Sequence, residues 1–93
     1  MIKTQQHDPA VREKFDAMVS RRRELAERLT EANRDREQIL INLGAWVAEG
    51  CDYEVYTARL AELRLETEAL EAGILYVDGQ AELLKRSNYW LTR

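Results

Sequence analysis

The side chains that could do chemistry are few and scattered. His7 is the lone histidine and Cys51 the lone cysteine, and four carboxylates, Glu62, Glu66, Glu68 and Glu71, crowd one stretch. Carboxylates on facing helices can hold a di-metal centre, but such bundles take Glu-x-x-His pairs, and His7 sits far away in a polar leader. One Cys and one His cannot build a structural zinc site or an internal disulfide. Cys51 has no His or basic cluster near it in sequence to activate a thiolate, so an inert thiol is the expectation. No glycine-rich phosphate loop occurs, and a serine nucleophile would have His7 alone as its base. Neither catalysis, nor a metal, nor a cofactor is expected.

A second candidate chemistry is phosphate binding by the arginines of "SRRRELAERL". Three consecutive helical residues spread over about 300° of circumference, so Arg21, Arg22 and Arg23 form no single patch. Arg21 and Arg28 share a side, but Glu24, Glu27 and Glu31 lie among them, and Glu24 to Arg28 has the favourable i,i+4 order. A solvated, self-paired face is the simpler reading. The formal charge of -3 agrees with it, and no recognition helix or basic arm is visible. Nucleic-acid binding through the arginine-rich part of helix 1 therefore ranks last among the binding readings.

Composition points to long helices. Hydrophobic residues make up 45% and charged residues 33%, with one Pro and four Gly among 93 residues, which suits a single ordered helical domain. The first residues lack the apolar core of a signal peptide, and "ILINLGAWVA" covers about half of the ~20 residues of a membrane span. A cytoplasmic protein without membrane association is expected.

The elements follow from spacing. Residues 1–8 read as a flexible N-terminal segment, and 9–93 as one helical-hairpin domain. Asp8 is an N-cap and Pro9 suits the first helical position. Val11, Phe15, Met18, Leu25, Leu29, Ala32, Ile39, Leu43 and Trp46 then recur in alternating steps of four and three, with Arg22 and Arg36 filling the gaps. This is a heptad seam, and helix 1 should run from about 9 to 48. The bend falls at 49–52. Gly50 is suited to the left-handed conformation that ends a helix, and Asp52 to capping the next. Helix 2, about 53–91, repeats the rhythm through Tyr56, Leu60, Leu63, Thr67, Leu70, Ile74, Val77, Ala81, Leu84, Asn88 and Leu91. Folding the seams about the bend sets Leu43 opposite Leu60, Ile39 opposite Leu63, Leu29 opposite Ile74, and Leu25 opposite Val77. Arg36 meets Thr67, and Arg22 meets Ala81. A kink or break near 78–79 is the alternative to one continuous helix, because Gly73 and Gly79 each cost up to ~1 kcal/mol against Ala.

Helix 2 carries more apolar surface than this seam consumes. Ala69, Tyr76, Leu83 and Trp90 recur every seven residues, with Leu65, Ala72 and Gly79 beside them, all pointing away from helix 1. Helix 1 has a lesser anomaly. Val19, Ala26, Leu40 and Val47 lie on the flank that would meet Arg64, Glu71, Asp78 and Lys85, an apolar strip against a charged one. Burying a Leu is worth about 1.5–3 kcal/mol, and two helices without a disulfide or metal make a thin core. The fold expected is therefore all-α: a long antiparallel two-helix hairpin, coiled-coil-like, completed to a four-helix bundle by dimerisation.

The function expected is that of a non-enzymatic interaction module, a self-associating hairpin serving in assembly, as an adaptor, or in regulation. Its interface residues would be Leu65, Ala69, Ala72, Tyr76, Leu83 and Trp90, with Leu40 and Val47 from helix 1. Arg22, Arg36, Thr67 and Asn88 interrupt the seam and either reach water at its edge or set register and partner. The alternative is a small viral or mobile-element inhibitor or chaperone that docks the helix 2 face on a different protein; its warrant is analogy of size and shape alone.

Overall fold

The computed structural model describes residues 8–92, and of Thr92 the backbone only. Two long helices form an antiparallel hairpin 75 × 16 × 15 Å in extent. The first, α1, is Pro9–Ala48. The Asp8 side chain accepts a hydrogen bond from the Ala10 amide at 2.9 Å, and Pro9, in the first turn, has no N–H left to satisfy. The segment 1–7, with His7, lies outside the described residues.

The helix ends as its sequence demands. Gly50 adopts φ 77°, the Gly50 amide donates to the Val47 carbonyl at 3.2 Å, and the Cys51 amide donates to the Trp46 carbonyl at 2.9 Å. This paired closure, with glycine in the left-handed position, satisfies two carbonyls the last turn would otherwise leave unpaired. Asp52 then accepts from the Glu54 amide at 3.1 Å, one residue ahead of the N-cap Tyr53, and α2 begins. Trp46 and Tyr56 stack across the bend with ring centroids 4.0 Å apart and planes inclined at 26°. Such an offset pair adds roughly 0.5–1.5 kcal/mol beyond its buried area and ties the closed end of the hairpin.

The second helix, α2, is Glu54–Ser87, unbroken through both glycines. A Cβ placed on Gly73 would lie 3.5 Å from Leu25 Cδ1, so this glycine is seated against α1 rather than marking a break. The seam buries Leu25, Ala32, Leu63, Thr67 and Leu70, and holds Phe15, Met18, Leu29, Ile39, Leu43, Leu60, Ile74, Val77 and Leu84 half-buried. Leu29 and Ile74 line one groove and Arg36 and Thr67 another, as the folded register requires. Arg22, set opposite Ala81 by the same arithmetic, is charge-paired with Asp78, Nε to Oδ1 at 2.7 Å.

The far end of α2 departs from the sequence expectation. The helix stops at Ser87 instead of continuing to about 91, Asn88 turns out of it at φ -137° and ψ 65°, and a four-residue 3-10 turn, Tyr89–Thr92, follows. Asn88 makes this ending itself. Its amide N–H donates to the Leu84 carbonyl at 2.9 Å, and its side-chain Nδ2 donates to the same carbonyl at 3.2 Å. Asparagine competes in this way for backbone partners and favours helix ends over interiors. The turn swings Trp90 and Leu91 into burial, and the Arg12 guanidinium lies 5.5 Å from the Trp90 ring centroid. Arg12 also lies 5.9 Å from the Phe15 ring, so one cation spans two aromatic faces at the open end of the hairpin.

Candidate functional site

The reactive groups do not converge among the described residues. Among the described residues no three His, Cys, Asp or Glu side chains are placed to share a metal ion. Glu62 pairs with Arg59 at 3.4 Å, and Glu66, Glu68 and Glu71 follow it around the helix. Cys51 is an exposed free thiol at the bend. The arginine run is spread as its helical spacing dictates, with Arg21 on Glu24 at 3.7 Å and Arg22 on Asp78 across the pair. No helix among the described residues is long and apolar enough to cross a membrane.

What the hairpin does present is apolar surface in an orderly pattern. On α2, Leu65 is 61% exposed, Tyr76 68% and Leu83 55%, with Ala69, Ala72 and Gly79 exposed between them. These residues occupy the two heptad positions farthest from the seam, which is why no side chain of α1 reaches over them. Leu40 and Val47 of α1 are exposed as well, together with Val19. Leu40 shares a groove of ≈ 570 Å³ with Asn33, Arg36, Glu37, Thr67 and Glu71, the mismatched flank where apolar α1 meets acidic α2. Farther along that flank the mismatch is partly relieved, because Arg22 crosses over to take up Asp78 beside Ala26 and Leu75.

Trp90 does not belong to this surface. It retains only 9% of its exposure, and the reason is the helix end at Asn88. On an unbroken helix its ring would continue the stripe of Tyr76 and Leu83, whereas in the 3-10 turn it folds under Arg12. The polar seam residues separate into three kinds. Thr67 is buried and its hydroxyl donates to the Arg64 carbonyl at 2.9 Å, within its own helix. Arg22 and Arg36 keep their heads in water at the seam's edge, Arg22 on Asp78. Asn88 terminates α2.

Among the exposed apolar residues that escaped the sequence reading are Val55 and Leu75. Val55 had a signal, since it lies fourteen positions before Ala69 in the same heptad phase. Leu75 sits at 73% exposure between the outer stripe and the mismatched flank and widens the apolar band toward the flank. Comparison of the chain with protein-family models, curated proteins and solved structures gives no match. Function must be argued from this surface.

Proposed function

We propose that the chain is a non-enzymatic association module, a helical hairpin that acts in assembly, as an adaptor or in regulation by covering its outer α2 face with another copy of itself. The observation that carries this reading is the exposure of Leu65, Tyr76 and Leu83 at heptad spacing on a helix whose other side is already packed. Isolated exposed apolar residues are ordinary, but a periodic stripe is a pattern that water does not reward. Each of these side chains is more than half exposed, so covering it recovers roughly 1–2 kcal/mol of the full burial value. Summed over two protomers, that is comparable with the total stability of a small domain, about 5–15 kcal/mol. Dimerisation through this face would give a four-helix assembly in which α2 is covered on both sides, by α1 and by the second copy.

Sedimentation equilibrium at about 50 µM tests the reading, a concentration at which a Kd near 10 µM, or about 7 kcal/mol, gives mostly dimer. The double variant Tyr76→Glu with Leu83→Glu should give a monomer with unchanged helicity, because both side chains point away from α1. A monomeric parent of native helicity, or a double variant with the parent's mass, would contradict the proposal. A monomeric parent that forms a defined complex with a different protein is the outcome the inhibitor or chaperone reading requires.

A further inference from the structure

The outer face of α2 has a property that single residues do not reveal. Taken as a seam in its own right it runs Val55, Ala58, Glu62, Leu65, Ala69, Ala72, Tyr76, Gly79, Leu83, Arg86, with steps of three and four that read the same in both directions. Every one of these residues is exposed. The midpoint falls between Ala69 and Ala72. We infer that this face pairs with its own copy, α2 against α2 in antiparallel orientation, about a two-fold axis passing between Ala69 and Ala72. The inference rests on the self-association just proposed and adds the identity of the contacting helix, its direction and its register.

Reversal of the seam onto itself gives layers that fit by size. Ala69 falls against Ala72 of the second copy at the axis, where small side chains let two helices approach at the short end of the 8–10 Å range. Leu65 falls against Tyr76, Ala58 against Leu83, and Glu62 against Gly79, where the missing side chain leaves room for a carboxylate to reach solvent. These are the layers that antiparallel heptads make, one seam position against the other, and a two-fold repeats each of them. The flanks are compatible too. Glu66 and Glu68 come beside Gly73 and Leu75, so no carboxylate meets its like. A parallel pairing would set Glu62 directly on Glu62 within the seam, like charge on like, which is destabilising. Charge therefore selects the antiparallel direction.

The area is adequate and modest. The seam from Ala58 to Leu83 is about 38 Å long. With Leu75 at its edge it offers on the order of 600 Å² per partner, somewhat below the roughly 800 Å² of a standard interface. That fits a dimer which dissociates on dilution.

Spin-label distances on single-cysteine variants decide the matter, using the full chain with Cys51→Ser and either Glu68→Cys or Glu82→Cys, both exposed beside the seam. An antiparallel pair centred between Ala69 and Ala72 separates the two copies of position 68 by about 8 Å along the axis and those of position 82 by about 35 Å. The expected result is one short distance, under about 20 Å once the lateral offset is included, and one long one. Short distances at both positions would mean parallel helices, and neither distance at a dimeric mass would mean a contact elsewhere, such as the Leu40 and Val47 flank. Either overturns the register while self-association stands. A monomeric mass with no intermolecular signal overturns both.

Discussion

The placement of Trp90 gives the most discriminating mutation. Trp90→Ala removes an indole that is 9% exposed and lies under the Arg12 guanidinium at 5.5 Å. A buried Trp covers about 200 Å², worth roughly 5 kcal/mol at ~25 cal/mol per Å², and the alanine that replaces it recovers a fraction. Loss of the cation–π contact adds about 0.5–1 kcal/mol. The site is at the open end of the hairpin, where the 3-10 turn can fray, so the loss is bounded by the free energy with which the turn docks. About 3 kcal/mol is expected, the low end for Trp→Ala in a core. Urea denaturation followed at 222 nm measures it, on the Tyr76→Glu and Leu83→Glu background so that association does not feed into the midpoint. In a heat melt the same loss should lower Tm by roughly 12–24 °C. On the proposed self-association, the parent chain with Trp90→Ala alone should keep the mass of a dimer. A stability loss below about 0.5 kcal/mol, with a fall in mass, would refute the reasoning and return Trp90 to the outer stripe.

Two further perturbations probe the hairpin. Gly44→Ala puts a methyl where no atom lies within 4 Å and should raise stability by up to ~1 kcal/mol, whereas Gly50→Ala, at φ 77°, should lower it by about 1 kcal/mol. Equal urea midpoints for the two would contradict the bend geometry. A double-mutant cycle on Arg22→Ala and Asp78→Ala should give a coupling under about 1 kcal/mol, since both side chains are half-exposed, and it should fall with added salt. A coupling above 2 kcal/mol would mean that the mismatched flank is covered in solution.

Local rules made most of the hairpin legible. Asp8 with Pro9, Gly50 in the left-handed position and Asp52 at the second start each announce a boundary through a single residue's backbone chemistry, and the structure uses all three. The seam was legible because a heptad is a long-range average, and two glycines do not erase it. Gly73 even gains a purpose against Leu25. The end of α2 was not legible. Leu84, Asn88 and Leu91 keep perfect heptad spacing with no Pro or Gly, so periodicity argues for continuation there. What ends the helix is a competition: Asn88 satisfies the Leu84 carbonyl locally, and Trp90 finds Arg12 at the opposite end of the chain. Heptad counting along one helix cannot register that second gain. Leu75 was missed for a related reason, because a stripe counted every seven residues does not see its neighbour one position away.

Withdrawal of Trp90 changes the logic of the outer stripe rather than only shortening it. Reversed about the midpoint between Ala69 and Ala72, position 90 would fall on position 51, which lies in the bend where α2 has not begun. A stripe that included Trp90 would thus present a large ring with no helix opposite it, and the two-fold pairing would leave it bare at both ends. With Trp90 folded under Arg12, Leu83 is the last apolar side chain of the seam, and its counterpart in the proposed pairing, Ala58, lies inside α2. On the proposed antiparallel pairing, the same 3-10 turn that closes the hairpin's open end would also keep Trp90 out of a seam that has no counterpart for it. Extending the helix through Asn88 would cost the hairpin its Trp90 contact and, on the proposed pairing, would give a second copy nothing to cover, so in that arrangement folding and association would favour the same helix end.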